Sequence, residues 1–291
     1  MRDYLIEFFR DFEYEERDAK TLLATFDTIN GNEDAKKLLF DALSVYEANH
    51  KIDYAEEIIG RAKKITELTD THPYTVEFLL FVCMTKRLMA LYEENGLDMQ
   101  IYRDSVLDLK WKLCECKEVR GICGSFVALW FSGFFNLERF ALGRLQFELT
   151  KARADYQKDG VTLKKGESIV INVHIPRTGT PMDKESCDRS YAMAREFFKN
   201  ATGNDYVFVC HSWLLFPQNK EILPSNTTVY RFMSEYDIVD WGYNEGNDLW
   251  RLFDTQEMNP DRLPANGSLR RAYVEHLKKG KRVGGGYGIK K

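Results

Sequence analysis

The stretch from Ser168 to Trp213 does most to constrain the fold of this chain. It holds an apolar run, Ile169 to Ile175, a polar loop, Arg177-Thr178-Gly179-Thr180, an amphipathic segment, Pro181 to Lys199, and a second apolar run, Tyr206 to Trp213. Short β-branched runs bounded by turn residues predict two strands, and the stripe Cys187, Tyr191, Ala194, Phe198 predicts the helix between them. Thr180-Pro181-Met182-Asp183 reads as a capped helix start with Pro in its first turn. Together they make a β-α-β unit. Such a unit lays two strands side by side, usually parallel, and opens a crevice where the first strand ends and the helix begins, a common ligand position in mixed sheets.

The rest of the chain changes period near Phe140. Before it, apolar residues recur at helical spacing: Leu22, Leu23, Phe26, Ile29; then Leu38, Leu39, Ala42, Leu43, Tyr46; then Ile58, Ile59, Ala62, Ile65, Leu68. Gly31-Asn32 and Asn49 to Asp53 break these helices. Thr71-His72-Pro73 starts a long one that Asn95-Gly96 closes. Another follows from about Asp98 to Lys117. The apolar segment Phe126 to Phe131 reads as the buried helix on which the others pack. After Phe140, Leu145, Phe147 and Leu149 alternate with Arg144, Gln146 and Glu148, which predicts a half-buried strand. Further strands are expected around Val229 to Phe232 and Asp237 to Gly242, with a hairpin from Asn244-Glu245-Gly246-Asn247-Asp248 into Leu249 to Phe253. A last helix, Ser268 to Lys279, is capped by Ser268, and Val283 to Ile289 is an edge strand or a flexible closing segment. The expected class is α+β: an all-helical domain over residues 1–140 followed by a mixed α/β domain over 141–291.

Composition narrows the function classes. A net charge of −4 without clustered Lys and Arg argues against sequence-independent nucleic-acid binding. No apolar run approaches the ~20 residues needed to cross a bilayer, and the first residues, Met-Arg-Asp-Tyr-Leu-Ile-Glu-Phe-Phe-Arg, carry acids where a signal peptide is apolar. A cytoplasmic protein with no membrane partner is expected. Six scattered cysteines read as thiols. Cys114, Cys116 and Cys123 lack the spacing and the fourth ligand of a metal site, so no metal is expected.

Strand alternation sorts the reactive groups of the β-α-β unit. Asn172 and His174 share one face of the first strand; Val209 and His211 oppose Cys210 on the second. Either histidine is a candidate base, since its ordinary pKa of ~6.5 lies near operating pH. A covalent route would pair Cys210 with His174. The loop Arg177-Thr178-Gly179-Thr180 offers a cation, hydroxyls and a helix N-terminus to a phosphate, although Asp183 and Glu185 oppose one there. Tyr191, Tyr230 and Tyr243 are possible proton donors.

Three segments, Gly143-Arg144-Leu145-Gln146-Phe147-Glu148, Val173-His174-Ile175-Pro176 and Cys210-His211-Ser212-Trp213-Leu214-Leu215, follow a helical half in this order. The chain so resembles a bacterial family of acyltransferase-domain proteins, in which a helical N-terminal domain precedes a GNAT-like C-terminal domain. The resemblance implies acyl-CoA, with acetyl-CoA the expected form, bound between two splayed parallel strands, and direct transfer of the acyl group to a small-molecule or peptide amine. It implies His174 or His211 as base and backbone N–H groups near Val209 or Cys210 at the thioester carbonyl. It also implies a phosphate loop at Arg177, Thr178, Gly179 and Thr180. The family's loop runs Gln or Arg, two residues, Gly, one residue, then Gly or Ala; here the Gly stands one position early and Met182 replaces the small residue. The alternatives are covalent catalysis by Cys210 and a catalytically inactive binding or interaction module on the same fold. The helical half is left to cover the acceptor or to form a homodimer.

Overall fold

The computed structural model describes residues 1–244, 246 and 248–290, and the chain divides into two compact units, Met1–Phe140 and Ala141–Lys291. The first unit is helical: α1 Arg2–Asp11, α2 Glu16–Asn30, α3 Glu33–Asn49, α4 Arg61–Thr69, α5 Pro73–Glu94, α6 Met99–Arg120 and a single turn, α7 Ser132–Phe135. A π-helical stretch, Tyr54–Gly60, leads into α4. The starts follow from their sequence: the Asn32 side chain accepts from Ala35 N, that of Asp98 accepts from Gln100 N, and Pro73 stands at the first turn of α5 behind His72. Sequence periodicity left α1 unassigned; Leu5, Phe8 and Phe9 are its buried residues.

The central helix is α5, not the Phe126 to Phe131 segment. Every residue from Phe78 to Thr85 is buried, so all sides of α5 are covered, and it packs against α2, α3, α4 and α6. The expected helix at Phe126 to Phe131 is only a 3₁₀ turn, Ala128–Phe131, in which Leu129 is 61% exposed. It runs directly into the single turn α7, Ser132–Phe135, rather than forming a long helix. Among the described residues no helix is long and apolar enough to cross a membrane.

The second unit is built on a sheet of six strands. They are β1 Arg139–Leu142, within which the two units divide, β2 Leu145–Lys151, β5 Ile169–His174, β6 Phe208–Ser212, β7 Tyr236–Tyr243 and β8 Gly284–Lys290, in the spatial order β1-β2-β5-β6-β8-β7. A separate hairpin joins β3 Tyr156–Lys158 to β4 Val161–Leu163. β2 and β5 are antiparallel, β5 and β6 parallel, and β8 antiparallel to both β6 and β7. The helices are α8 Lys184–Thr202, α9 Asn219–Ile222, α10 Thr228–Ser234, α11 Leu249–Phe253 and α12 Ser268–Lys278. α8 covers one sheet face, where Tyr191 meets Phe147 and Phe208 edge-on. On the other face Val170, Val209, Tyr287 and Ile289 form an apolar cluster with Leu163 of β4.

Several sequence expectations are corrected here. Val229 to Phe232 is helix, because the Thr227 hydroxyl caps α10 by accepting from Tyr230 N. Leu249 to Phe253 is helix rather than a hairpin strand, and Glu245 and Asn247 of the expected turn lie outside the described residues. Gly267, not Ser268, precedes the first turn of α12 as its cap. The segment expected at the edge, β8, is interior: it pairs Val209 to Ser212 on one side and Tyr236 to Tyr243 on the other.

Candidate active site

β5 and β6 run side by side only briefly. Their rungs are Ile171↔Phe208, Asn172↔Val209 and Val173↔Cys210, and the parallel ladder stops there. β5 goes on to His174 along β2, while β6 goes on to Ser212 along β8. Beyond the last rung each strand keeps only its outer partner, so the pairing of β5 with β6 ends before His174 and His211, at the carboxyl ends of the two parallel strands, where side chains and loops can reach a ligand.

The register also decides which reactive groups meet. Gln146 and Glu148 of β2 stand opposite His174 and Asn172, and their side chains share that face. His174 Nε2 lies 2.8 Å from Glu148 Oε1, and Asn172 Nδ2 lies 3.2 Å from the same oxygen. With the carboxylate ionised, Asn172 donates to it, and His174 does so in its Nε2–H tautomer; Asn172 Nδ2 also lies 3.1 Å from that ring nitrogen. The His174 and Glu148 side chains are about one-fifth exposed, at 18% and 21%. Glu148 was read from the sequence only as the polar phase of an alternating strand; its signal lay in the antiparallel pairing of β2 with β5.

His211, next in register beyond the last rung, lies on the same face and is exposed. Partial shelter of its ring and then the Arg153 charge lower its pKa from the ordinary histidine value, with Asp248 and Asp240 opposing. Cys210 does not join these groups. It pairs with Val173, so its thiol lies on the α8 face, away from His174, and the expected Cys210–His174 pair does not form. Cys210 is fully buried, and burial pushes its thiol well above the ordinary range, which disfavours a thiolate nucleophile. Tyr191 is on that same face, with its hydroxyl 2.6 Å from that of Tyr236. Val209 packs its side chain in the core, and its backbone belongs to the rung below the point of parting.

The loop after β5 is shaped by arginines. Arg144 donates from Nη1 to Pro176 O at 2.9 Å and from Nε to Pro181 O at 3.3 Å; Arg231 of α10 donates to Met182 O at 2.8 Å. Thr178 and Thr180 hydroxyls lie 2.6 Å apart, and Gly179 between them takes φ 69°, a left-handed conformation suited to glycine. Arg177 Nη1 donates to Asp254 Oδ1 at 2.6 Å. The helix starts later than expected. Asp183, not Thr180, caps α8, accepting from Ser186 N at 2.8 Å, because Pro181 and Met182 remain in the loop. That interaction holds the Asp183 carboxyl below its ordinary range.

The family model for the GNAT-like C-terminal domain matches residues 140–290, more than half of the chain. The chain belongs to this family. A second family model, the N-acyltransferase N-terminal domain, matches residues 3–137. No curated protein matches the chain. Solved structures do. An acyltransferase mutant in complex with octanoyl-CoA is 21% identical over 99% of this chain and 88% of that one, with a TM-score of 0.74. An acyltransferase in complex with decanoyl-CoA and teicoplanin is 21% identical over 97% and 86%, with a TM-score of 0.72. An acyltransferase in complex with CoA and 10C-teicoplanin is 22% identical over 98% and 86%, with a TM-score of 0.73. These likenesses show the fold of a GNAT-like member: a helical region followed by a mixed α/β domain.

Proposed function

We propose that this protein is an N-acyltransferase that moves an acyl group from acyl-CoA to an amine by direct attack. The observation that carries the reading is the Glu148–His174 pair at the point where β5 and β6 part. His174 Nδ1 takes the proton from the attacking amine. Glu148 holds the imidazole in the tautomer that can do so and stabilises the imidazolium that forms. The amine nitrogen bonds to the thioester carbon, the carbon–sulfur bond breaks, and CoA leaves as the thiolate. Backbone N–H groups near Val209 or Cys210 hold the developing oxyanion in this reading. Arg177, Thr178, Gly179 and Thr180 take the phosphates of the donor, for which the arginine-held loop is a ready cradle. The neighbours' complexes support a long acyl chain, octanoyl or decanoyl, over acetyl, and teicoplanin among them makes a glycopeptide amine the first acceptor to try.

Thermal unfolding with CoA, acetyl-CoA, octanoyl-CoA and decanoyl-CoA tests the donor. A ligand at 100 times its dissociation constant stabilises the native state by about 2.7 kcal/mol. A saturable shift that grows with chain length is the expected result; the absence of any shift at millimolar CoA overturns the assignment. The direct route makes a second prediction. Cys210→Ala keeps kcat within about threefold, since its thiol lies on the far face of the sheet and a small buried truncation mainly costs packing. A folded Cys210→Ala protein without turnover, or an acyl-enzyme in the intact mass, would restore the covalent route.

A further inference from the structure

The sheet face that carries His174 and His211 carries two further charges of opposite sign, Arg153 and Asp240, both exposed. Register sets His211 of β6 opposite Tyr287 of β8, and Tyr287 opposite Asp240 of β7, so these three side chains form a row across that face. Arg153, two residues beyond β2, is fixed to the same row, because its backbone N donates to the Tyr287 hydroxyl at 3.2 Å. Beyond the partial burial that chiefly lowers the His211 pKa, the two charges act on that ring in opposite senses: Arg153 lowers it further, and Asp240, with Asp248, raises it.

The other acids nearby are taken up. Asp248 accepts from Asn244 Nδ2 at 2.8 Å and from Arg251 Nε at 2.9 Å; Asp237 accepts from the Tyr156 hydroxyl and Lys158 Nζ, and Asp155 from Lys165 N. Among the described residues, the side chains of Arg153 and Asp240 pair neither with each other nor with any neighbour. A cation and an anion that border one histidine yet stay apart suit a ligand that carries both a carboxylate and an amine. The guanidinium fork meets a carboxylate in two parallel hydrogen bonds, and the Asp240 carboxylate draws the ammonium form of the amine toward the histidines. The two faces decide which substrate brings the anion. The donor's phosphates are assigned to the loop leading into α8, and α8 covers the opposite face of the sheet. The carboxylate is therefore the acceptor's.

We propose that the acceptor is an amine that also bears a free carboxylate, as an amino acid or a peptide does, and that Arg153 binds this carboxylate while Asp240 receives the ammonium. The inference rests on the acyltransferase reading of the site. It makes Arg153 a residue of acceptor specificity, with no part in holding the donor.

The test measures CoA release by the full chain from octanoyl-CoA with teicoplanin and a panel of dipeptides, each offered as the free acid and as the C-terminal amide. The acid is expected to exceed its amide at least about tenfold in kcat/KM. Arg153→Met should bring that ratio within about twofold of unity, and Arg153→Lys should keep part of it. Both variants retain the backbone hydrogen bond to Tyr287, and thermal unfolding shows that they are folded. Asp240→Asn should raise KM for acid and amide alike and leave their ratio unchanged, a split that a loss of packing would not produce. Calorimetric binding of CoA separates the two sources of an anion: Arg153→Met should hold the dissociation constant within about twofold, and a tenfold rise would give Arg153 to the donor's phosphates and overturn the proposal. Equal kcat/KM for acids and amides overturns it too, as does a preference that survives in Arg153→Met, or a chain that binds octanoyl-CoA and acylates none of the free acids. If the unaltered chain binds no CoA, the acyltransferase reading falls and the proposal with it; if it binds CoA and shows no preference for the acids, the proposal falls alone.

Discussion

His174→Ala lowers kcat by about 10² to 10⁴, the span that a positioned general base contributes. The loss should appear in kcat more than in KM, because the imidazole acts on the proton released as the carbon–nitrogen bond forms and adds little to binding the donor. Glu148→Gln keeps the shape and an acceptor oxygen but removes the charge that stabilises the imidazolium and fixes its tautomer. It should cost less than His174→Ala, about tenfold to a hundredfold, and the double variant should be no worse than His174→Ala alone. His211→Ala ranks last. Steady-state kinetics on the three single variants checks the order, and a larger loss in His211→Ala than in His174→Ala would move the base to the other strand.

Gly286→Val abolishes folding of the second unit, and Gly286→Ala destabilises it by roughly 3 kcal/mol or more. Overpacking a well-filled interior costs about 1–3 kcal/mol when side chains can shift, and here the obstacle is backbone. A Cβ on Gly286 would stand 2.2 Å from Leu215 O and 2.9 Å from Leu215 C, in the 3₁₀ turn Trp213–Leu215 laid across β8. A Cβ on Gly284 would stand 2.1 Å from Gly242 O. Gly285 is the internal control, since its Cβ would meet Ser212 O at an ordinary 3.5 Å, and Gly285→Ala should cost under about 1 kcal/mol. Denaturant unfolding followed by circular dichroism measures all three; similar midpoints for Gly285→Ala and Gly286→Ala would sink the packing argument.

Local pattern carried the reading of the sequence where the cause was local. The alternation of Ile169 to Ile175 and the stripe of α8 made the β-α-β unit legible, and it set His174 on the carboxyl end of its strand. What pattern could not supply was register. Glu148 lies 26 residues before His174, and only the antiparallel pairing of β2 with β5 brings it to Nε2. Parallel pairing likewise separates Cys210 from His174, although the two seemed to converge when each strand was read alone. Short helices failed for a related reason. Val229 to Phe232 and Leu249 to Phe253 span too few residues for a period to declare itself, and capping at Thr227 decided the first of them. β8 was obscured by its glycines, which look like a flexible tail until the turn packed on them is known.

That interior placement of β8 bears on how the domain comes into being. Every other strand of the sheet precedes β8 in the chain, yet β6 and β7 are joined only through it. During synthesis β6 therefore presents an open hydrogen-bonding edge, with apolar Phe208 and Val209 beside it, until residues 284–290 arrive. The sheet closes by insertion of its latest strand rather than by growth at a margin. Nascent chains stalled before Gly284 should therefore be protease-sensitive throughout β6 and β7 and should recruit chaperones, and release of seven more residues should end both.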